Sequence, residues 1–310
     1  MTCSVAVPLS VSTAFSPCHI TGFFQKSIDS NNTDYLFHGS RGAGFSINKG
    51  VTTSVELYES NAPSYQIYIN GLLVNDAIVS DWVIQNYLSQ VDSKYLIKIK
   101  HTIDVPIGFG LGTSGAAALS LSYALNHVLK RNLSLKRAAQ IAHVAEISCK
   151  TGLGTVISEF YGGLEIRTGF GAPGIGQLEK IRVKDHAAVV FCINPIMTKE
   201  ILSKHFDRSN ILGNQMTEQL LLSRDIGDFL RLSKKFADIL GLTKGVCAKP
   251  IKKLENIGIL SSVALFGETI FTLIPKYDVR KIPPILQEFP GALFICDIDN
   301  RGAILKSHDK

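Results

Sequence analysis

The run Pro106-Ile107-Gly108-Phe109-Gly110-Leu111-Gly112-Thr113-Ser114-Gly115-Ala116-Ala117-Ala118 carries the strongest chemical signal in this chain of 310 residues. Its three alternating glycines let backbone amides approach an anion with no Cβ in the way, and the helix expected to follow points its positive end at the same place. A triphosphate suits such a cradle. Thr113 and Ser114 stand at the loop's end, where their hydroxyls either cap the helix or help to bind the metal of a nucleotide. With no ligand, the same spacing would serve a tight strand-to-helix turn. There is no Lys after the last Gly, so this is not a Walker A loop, and no acidic residue stands about twenty positions on, as a dinucleotide fold would want.

Other chemically useful side chains lie on both sides of that run. Glu146 offers a carboxylate, a hard ligand for Mg²⁺, and Arg167 can fork onto a carboxylate where Lys would offer only a point charge. The bland readings are a solvated helix carboxylate and a surface strand charge. Lys150 and Thr151 end the helix that carries Glu146. Lys150 either favours that helix's negative end or stands close to the reacting phosphates. His19, beside Pro17 and Cys18, reads equally as a substrate contact or as a packed turn residue, and Thr21 shares that ambiguity.

The elements that must position these residues follow from periodicity. Alternating apolar positions predict strands at Val51 to Leu57, Tyr65 to Ile69 and Tyr95 to Ile103. Shorter strands at Ser4 to Val7 and Ser10 to Phe15, with a turn at Ser27 to Asp34, make the opening hundred residues sheet-rich. A first helix runs from Thr113 and Ser114 to about Lys130. A second is capped by Ser134, buries Ala138, Ala142, Ala145 and Cys149, and stops near Gly152. Beyond a strand at Gly163 to Thr168, the loop Gly169 to Gly176 is the expected junction between domains 1–170 and 171–310. Strands are then expected at His186 to Asn194, Val263 to Phe266, Thr269 to Ile274, Ala292 to Ile298 and Ala303 to Leu305. Helices are expected within Lys199 to Phe206 and Asn214 to Leu240 and near Val279 to Phe289. Without regular βαβ units or a repeat of fixed period, the order is that of an α+β protein.

Composition narrows the classes. With 45% hydrophobic residues the chain can bury a substantial core, yet no stretch approaches the roughly 18 apolar residues of a membrane helix. Met1 to Phe15 lacks the basic start of a secretory signal, so a cytoplasmic protein is expected. The six cysteines are far apart with no CxxC pair, which disfavours disulfide frameworks and zinc sites. The net charge of +6 is diffuse, with no basic stripe interleaved with aromatics. That favours a small anionic substrate over nucleic acid. The oligomeric state is open, a homodimer being one option.

The pattern P-x-G-x-G-L-G-T/S-S-x-A-A resembles the second signature of the GHMP kinases. Phe15-Ser16-Pro17-Cys18-His19-Ile20-Thr21-Gly22-Phe23-Phe24, Ala145-Glu146, and Thr151-Gly152-Leu153-Gly154 through Tyr161-Gly162-Gly163-Leu164-Glu165-Ile166-Arg167 are similar to archaeal pantoate kinases over nearly the whole chain. Ser261 to Phe271, with Gly267, corresponds to the family's third signature. The resemblance implies a two-lobed α+β fold, with a sheet-rich N-terminal lobe carrying the nucleotide loop and a ferredoxin-like C-terminal lobe. It also implies ATP and Mg²⁺. Pro106, Gly108, Gly110, Leu111, Gly112, Thr113, Ser114, Gly115 and Ala116 would hold the triphosphate, and Ser114 and Glu146 the metal. Lys150 and Thr155 would stand at the reacting groups, and His19, Thr21 and Arg167 would meet a small branched hydroxy acid.

Two departures bear on the acceptor. The family motif continues Thr-Gly-Leu-Gly-Asp, and Thr155 replaces that Asp; Cys18 replaces a Gly. Phosphoryl transfer depends mostly on positioning and charge stabilisation, so a Thr at this place slows the reaction without forbidding it. Pantoate, giving 4-phosphopantoate for coenzyme A, is the family substrate most similar to expectation. A neutral Thr would also spare an already phosphorylated acid from repulsion, so a mevalonate 3-phosphate 5-kinase of isoprenoid synthesis is the alternative. A catalytically silent metabolite sensor is the third reading, although such a protein has no physical need of a paired metal site.

Overall fold

The computed structural model describes residues 7–26, 33–89, 94–195 and 206–306. The expected strand Ser4 to Val7, turn Ser27 to Asp34 and helix within Lys199 to Phe206 fall largely outside them. In chain order the elements are β1 (Ser10–Lys26), β2 (Ser40–Glu59), β3 (Ser64–Ile69), β4 (Leu72–Val74), α1 (Ile78–Leu88), β5 (Tyr95–Ile103), α2 (Thr113–Val128), α3 (Leu135–Cys149) and α4 (Val156–Tyr161). There follow β6 (Leu164–Arg167), β7 (Leu178–Ile181), β8 (His186–Pro195), α5 (Phe206–Ser223), α6 (Ile226–Ile239), α7 (Ala248–Asn256), β9 (Ser262–Val263), β10 (Gly267–Pro275), α8 (Pro283–Leu286), β11 (Ala292–Cys296) and β12 (Ile304–Lys306).

Eight strands form the first sheet, in the order β12-β1-β2-β5-β3-β4, with β6 on β2 and β7 on β6. The long β2 serves two neighbours on one edge: Val51 to Glu59 pairs with β5 and Gly42 to Phe45 with β6. Its pairing with β1 shifts register at Pro17/Cys18 and again at Thr21/Phe23. These irregularities bend the strand segment that carries His19 and Thr21. The loop Gly169 to Gly176 joins β6 to β7 within this sheet.

The second sheet is antiparallel, in the order β11-β8-β10-β9. Numbered along its own segment, that is fourth-first-third-second, the ferredoxin-like order with helices in both crossovers. One core lies between the first sheet and α1, α2 and α3, around Val55, Ile99, Leu121 and Tyr123. Another joins the two sheets through Phe45 of β2, Phe229 of α6 and Phe271 of β10. The Phe45 ring centroid stands 6.1 Å from Phe229 and 5.5 Å from Phe271, both edge-on. Burying each such ring stabilises the junction by roughly 1.5–3 kcal/mol. Among the described residues no helix is long and apolar enough to cross a membrane.

Several expected elements are refined. The stretch Asn214 to Leu240 is two helices, broken where Arg224 takes φ 50° and the Asp225 side chain caps the second by accepting from the Asp228 amide. The expected helix near Val279 to Phe289 is a 3-10 turn over Lys276–Lys281 followed by the short α8, because two prolines interrupt it. The opening hundred residues also contain a helix, α1, that alternation alone does not suggest. Its β-branched residues mimic a strand, yet Val79, Ser80, Val83, Ile84 and Tyr87 are buried at helical spacing.

The segment that follows β11 crosses back to the first sheet. Ile298 bridges Ile47, the amide of Gly163 donates to the Asp299 carbonyl at 2.6 Å, and the amide of Ala303 donates to the Glu159 carbonyl at 3.0 Å. β12 then pairs with Thr13 to Phe15 of β1.

Candidate active site

The loop before α2 is shaped by its own glycines and by the opposite lobe. Gly108, Gly110 and Gly112 have φ of 87°, 73° and 67°, the left-handed region that favours glycine. At Gly110 space is equally decisive, since a Cβ would stand 2.5 Å from the Leu265 carbonyl oxygen. Gly267 lies so close to the Phe109 carbonyl that it too has no room for a side chain, and Thr269 Oγ1 donates to that carbonyl at 2.8 Å. The segment Ser261 to Phe271 therefore borders the loop. From β1, the His19 amide donates to the Leu111 carbonyl at 3.1 Å. Pro106, Gly110, Gly112, Thr113 and Ser114 are half-buried, Gly108 is exposed, and Leu111, Gly115 and Ala116 are buried.

Neither Thr113 nor Ser114 caps α2. The N-cap is Gly112, with no side-chain hydrogen bond to the free amides, which leaves those donors for an anion. Ser114 instead donates from Oγ to Glu146 Oε1 at 2.6 Å. Thr155 Oγ1 donates to Glu146 Oε2 at 3.1 Å, and Thr151 Oγ1 lies 3.5 Å from Oε1. Glu146 is 1% exposed. Burial pushes its carboxyl up, and the hydroxyls of Ser114, Thr155 and Thr151 oppose that rise. Gly152 makes room for this carboxylate, because a Cβ there would run into it. Lys150 closes α3 in the left-handed conformation, its amide donating to the Glu146 and Ile147 carbonyls, and it is exposed.

His19, Thr21 and Arg167 come together, but around a partner that sequence reasoning passed over. Glu165 Oε1 accepts from Arg167 Nη1 at 2.5 Å and from the Ser158 hydroxyl at 3.0 Å, and lies 2.9 Å from His19 Nε2. Thr21 Oγ1 stands 3.4 Å from His19 Nδ1. The whole cluster is buried, Arg167 at 1%. Burial pushes the Glu165 carboxyl up, but His19, Arg167 and Ser158 outweigh it and hold it below the usual carboxylate range. Arg167 is thus a buried, paired guanidinium and not the surface strand charge of the bland reading. Glu165 sits two residues before it on the same face of β6, and that spacing was the available signal.

Two further residues emerge only in three dimensions. His143, one turn before Glu146 on α3, has Nε2 at 3.0 Å from the His38 carbonyl oxygen and a buried Nδ1 with no partner. Burial brings its pKa down to about 4, so the ring is neutral at pH 7. Glu159, one turn after Thr155 on α4, is fully buried and neither carboxylate oxygen has a hydrogen-bond partner. Burial raises its carboxyl well above the usual range, and the charges of Glu146 and Glu165 add to the rise.

The donor set fits a hard divalent cation. The Ser114 hydroxyl and the Glu146 carboxylate are adjacent oxygen donors beside free helix amides, the combination that would hold Mg²⁺ against a triphosphate.

Comparison with known proteins agrees with this chemistry. Residues 78–163 match the GHMP kinases N terminal domain. The pantoate kinase of Methanocaldococcus jannaschii is 34% identical over 278 residues, covering 88% of this chain and 96% of that one. A solved structure described as a phosphotransferase related to CoA biosynthesis pathway superposes with TM-score 0.88 at 25% identity, covering 97% of this chain and all of the other. Mevalonate-3-kinase from Thermoplasma acidophilum, at TM-score 0.69 and 13% identity over 96% of this chain and 98% of its own, shares the fold. With a glycine loop, a Ser–Glu pair and an identity that spans nearly the full length of a curated relative, this chain belongs to the GHMP kinase family, ATP-dependent enzymes that phosphorylate a hydroxyl, and within it to the group of the pantoate kinases.

Proposed function

We propose that the protein transfers the γ-phosphoryl group of ATP to the primary hydroxyl of pantoate, giving 4-phosphopantoate. The observation that carries the phosphoryl-transfer part is the seat of Glu146, held between the hydroxyls of Ser114 and Thr155 at the first turn of α2. The choice of pantoate is supported by relatives of that name along nearly all of the chain.

In this reading the loop amides from Gly108 to Gly115 bind the triphosphate, and Ser114 and Glu146 hold Mg²⁺. When bound, the cation neutralises charge that gathers on the transferring group. Thr155 cannot act as a base at neutral pH. Its Oγ1 spends its proton on Glu146 and keeps lone pairs for the acceptor hydroxyl, so it positions the nucleophile and leaves deprotonation late. His19, Thr21 and Arg167 form the acid-facing group, with Glu165 and Ser158 fixing the guanidinium. The division at residues 1–170 and 171–310 belongs to the same proposal, with β7 and β12 of the second segment completing the first sheet.

The test is ADP release from MgATP with pantoate, mevalonate or mevalonate 3-phosphate, with products identified by mass. Turnover of pantoate alone is expected. Selective turnover of mevalonate 3-phosphate would replace the acceptor and make Thr155 part of specificity, and silence on all three would refute the proposal.

A further inference from the structure

Glu159 is a buried group beneath the nucleotide loop that the mechanism above leaves without a role. Its Oε1 lies 2.7 Å from where a Cβ on Gly112 would stand, and its Oε2 lies 2.6 Å from the corresponding point on Gly115. Thr155 Oγ1 and Glu146 Oε2 stand 3.0 and 3.1 Å from that second point. Three oxygens from α3, α4 and the residue before α4 thus converge on the inner side of Gly115. Unlike the glycines before it, Gly115 does not have positive φ; what it provides is room for these oxygens.

Charge makes the arrangement unbalanced. Glu146, Glu159 and Glu165 are all buried, and Arg167 is the one fully buried Lys or Arg among the described residues, already committed to Glu165. A buried carboxylate with no donor to either oxygen is costly, and it persists where a cation or proton completes it.

We propose that Glu159 is a second carboxylate of the cation site, facing Glu146 across Gly115 and supplying, one helical turn further along, the negative charge that Thr155 does not carry. Glu159 then joins Ser114 and Glu146 in holding the cation, from the inner side of the loop. This rests on the kinase reading of the site but not on its acceptor, so the test omits any acceptor.

Binding of Mn²⁺ would be followed by electron paramagnetic resonance in the presence of a non-hydrolysable ATP analogue. Glu159→Gln, which keeps shape and removes charge, is expected to weaken Mn²⁺ binding by roughly 10- to 100-fold. Adding Thr155→Asp to that variant is expected to restore most of the affinity, because the new carboxylate would stand beside the same Glu146 oxygen. A folded Glu159→Gln protein whose Mn²⁺ affinity changes by less than about threefold overturns the proposal, as does failure of Thr155→Asp to restore any of a loss. Should Glu159→Gln not fold, Glu159→Asp keeps the charge and withdraws it by one methylene; a clear loss of affinity supports the assignment and unchanged affinity overturns it. Loss of Mn²⁺ binding and absence of pantoate turnover are separate readouts, so the failure of one reading is distinguishable from that of the other.

Discussion

Gly115→Ala tests whether the first turn of α2 is shaped by the groups packed inside it. In an open helix the change would stabilise, since Ala is better than Gly by about 1 kcal/mol in a helix interior. Here the added methyl would meet Glu159 Oε2 at 2.6 Å, Thr155 Oγ1 at 3.0 Å and Glu146 Oε2 at 3.1 Å. Carbon and oxygen prefer contact about half an ångström or more beyond these distances, so three groups must retreat together. They are buried or half-buried, and overpacking of this kind costs about 1–3 kcal/mol. The expected net effect on stability is therefore small, between zero and a loss of about 2 kcal/mol. The effect on turnover is larger. Moving Glu146 and Thr155 by several tenths of an ångström shifts both the metal ligand and the hydroxyl that positions the acceptor, and misplacement approaching 1 Å lowers rate on the order of 100-fold. Steady-state kinetics by coupled ADP release, alongside thermal unfolding, separates the two. A Gly115→Ala enzyme that is more stable and retains wild-type kcat would refute the crowding argument.

Arg167→Ala should do more than weaken acid binding. It removes the guanidinium from the buried Glu165 and leaves His19 and Ser158 as its partners, a loss of up to about 3–5 kcal/mol measurable as a lowered urea midpoint; wild-type stability would show the pair to be dispensable. His101 gives a pH signature. Its ring is buried between Thr53 and Ser80, and burial lowers its pKa to about 4 from an ordinary 6.5. The unfolded chain therefore takes up a proton below pH 6.5 that the folded protein refuses, so the full contribution is present above pH 6.5 and is lost progressively as pH falls to about 4. His101→Gln should lose stability at pH 7 through its hydrogen bonds, yet its deficit against wild type should shrink by about 3 kcal/mol by pH 4, and a deficit independent of pH would count against the buried neutral ring.

Legibility from sequence followed the range of the forces involved. The glycine loop and the starts of α2 and α3 were legible because positive φ and capping are local demands, and Ser134 does accept from the Arg137 amide as its position suggests. Ser114 shows where locality fails. By type it is a helix cap, but a carboxylate from another helix claims its hydroxyl, and only tertiary approach decides between them. α1 was masked by β-branched residues that serve a helix buried on one face. Gly115 and Gly152 looked like backbone glycines, whereas each makes room for a carboxylate, Gly115 for ones from α3 and α4 and Gly152 for Glu146 of the helix it follows. Glu159 carried no signal of its own beyond a four-residue offset from Thr155, since a lone Glu in an amphipathic stretch reads as solvated.

The return of the chain after β11 sets an order of events during synthesis. α4, which carries Glu159 and follows Thr155, is braced from outside by residues 297–303, and the edge of β1 stays unpaired until Ile304–Lys306 has emerged. A ribosome carrying all but this segment would display the nucleotide loop and both of its glycine-flanked helices, yet lack the backbone bonds that fix the second carboxylate. The pairing of Thr13 with Lys306 closes a loop of nearly the entire described chain, a contact of large sequence separation of the kind that forms slowly. A chain lacking residues 297–306 is therefore expected to lose phosphoryl transfer, since the backbone bonds that seat α4 against the first sheet go with them.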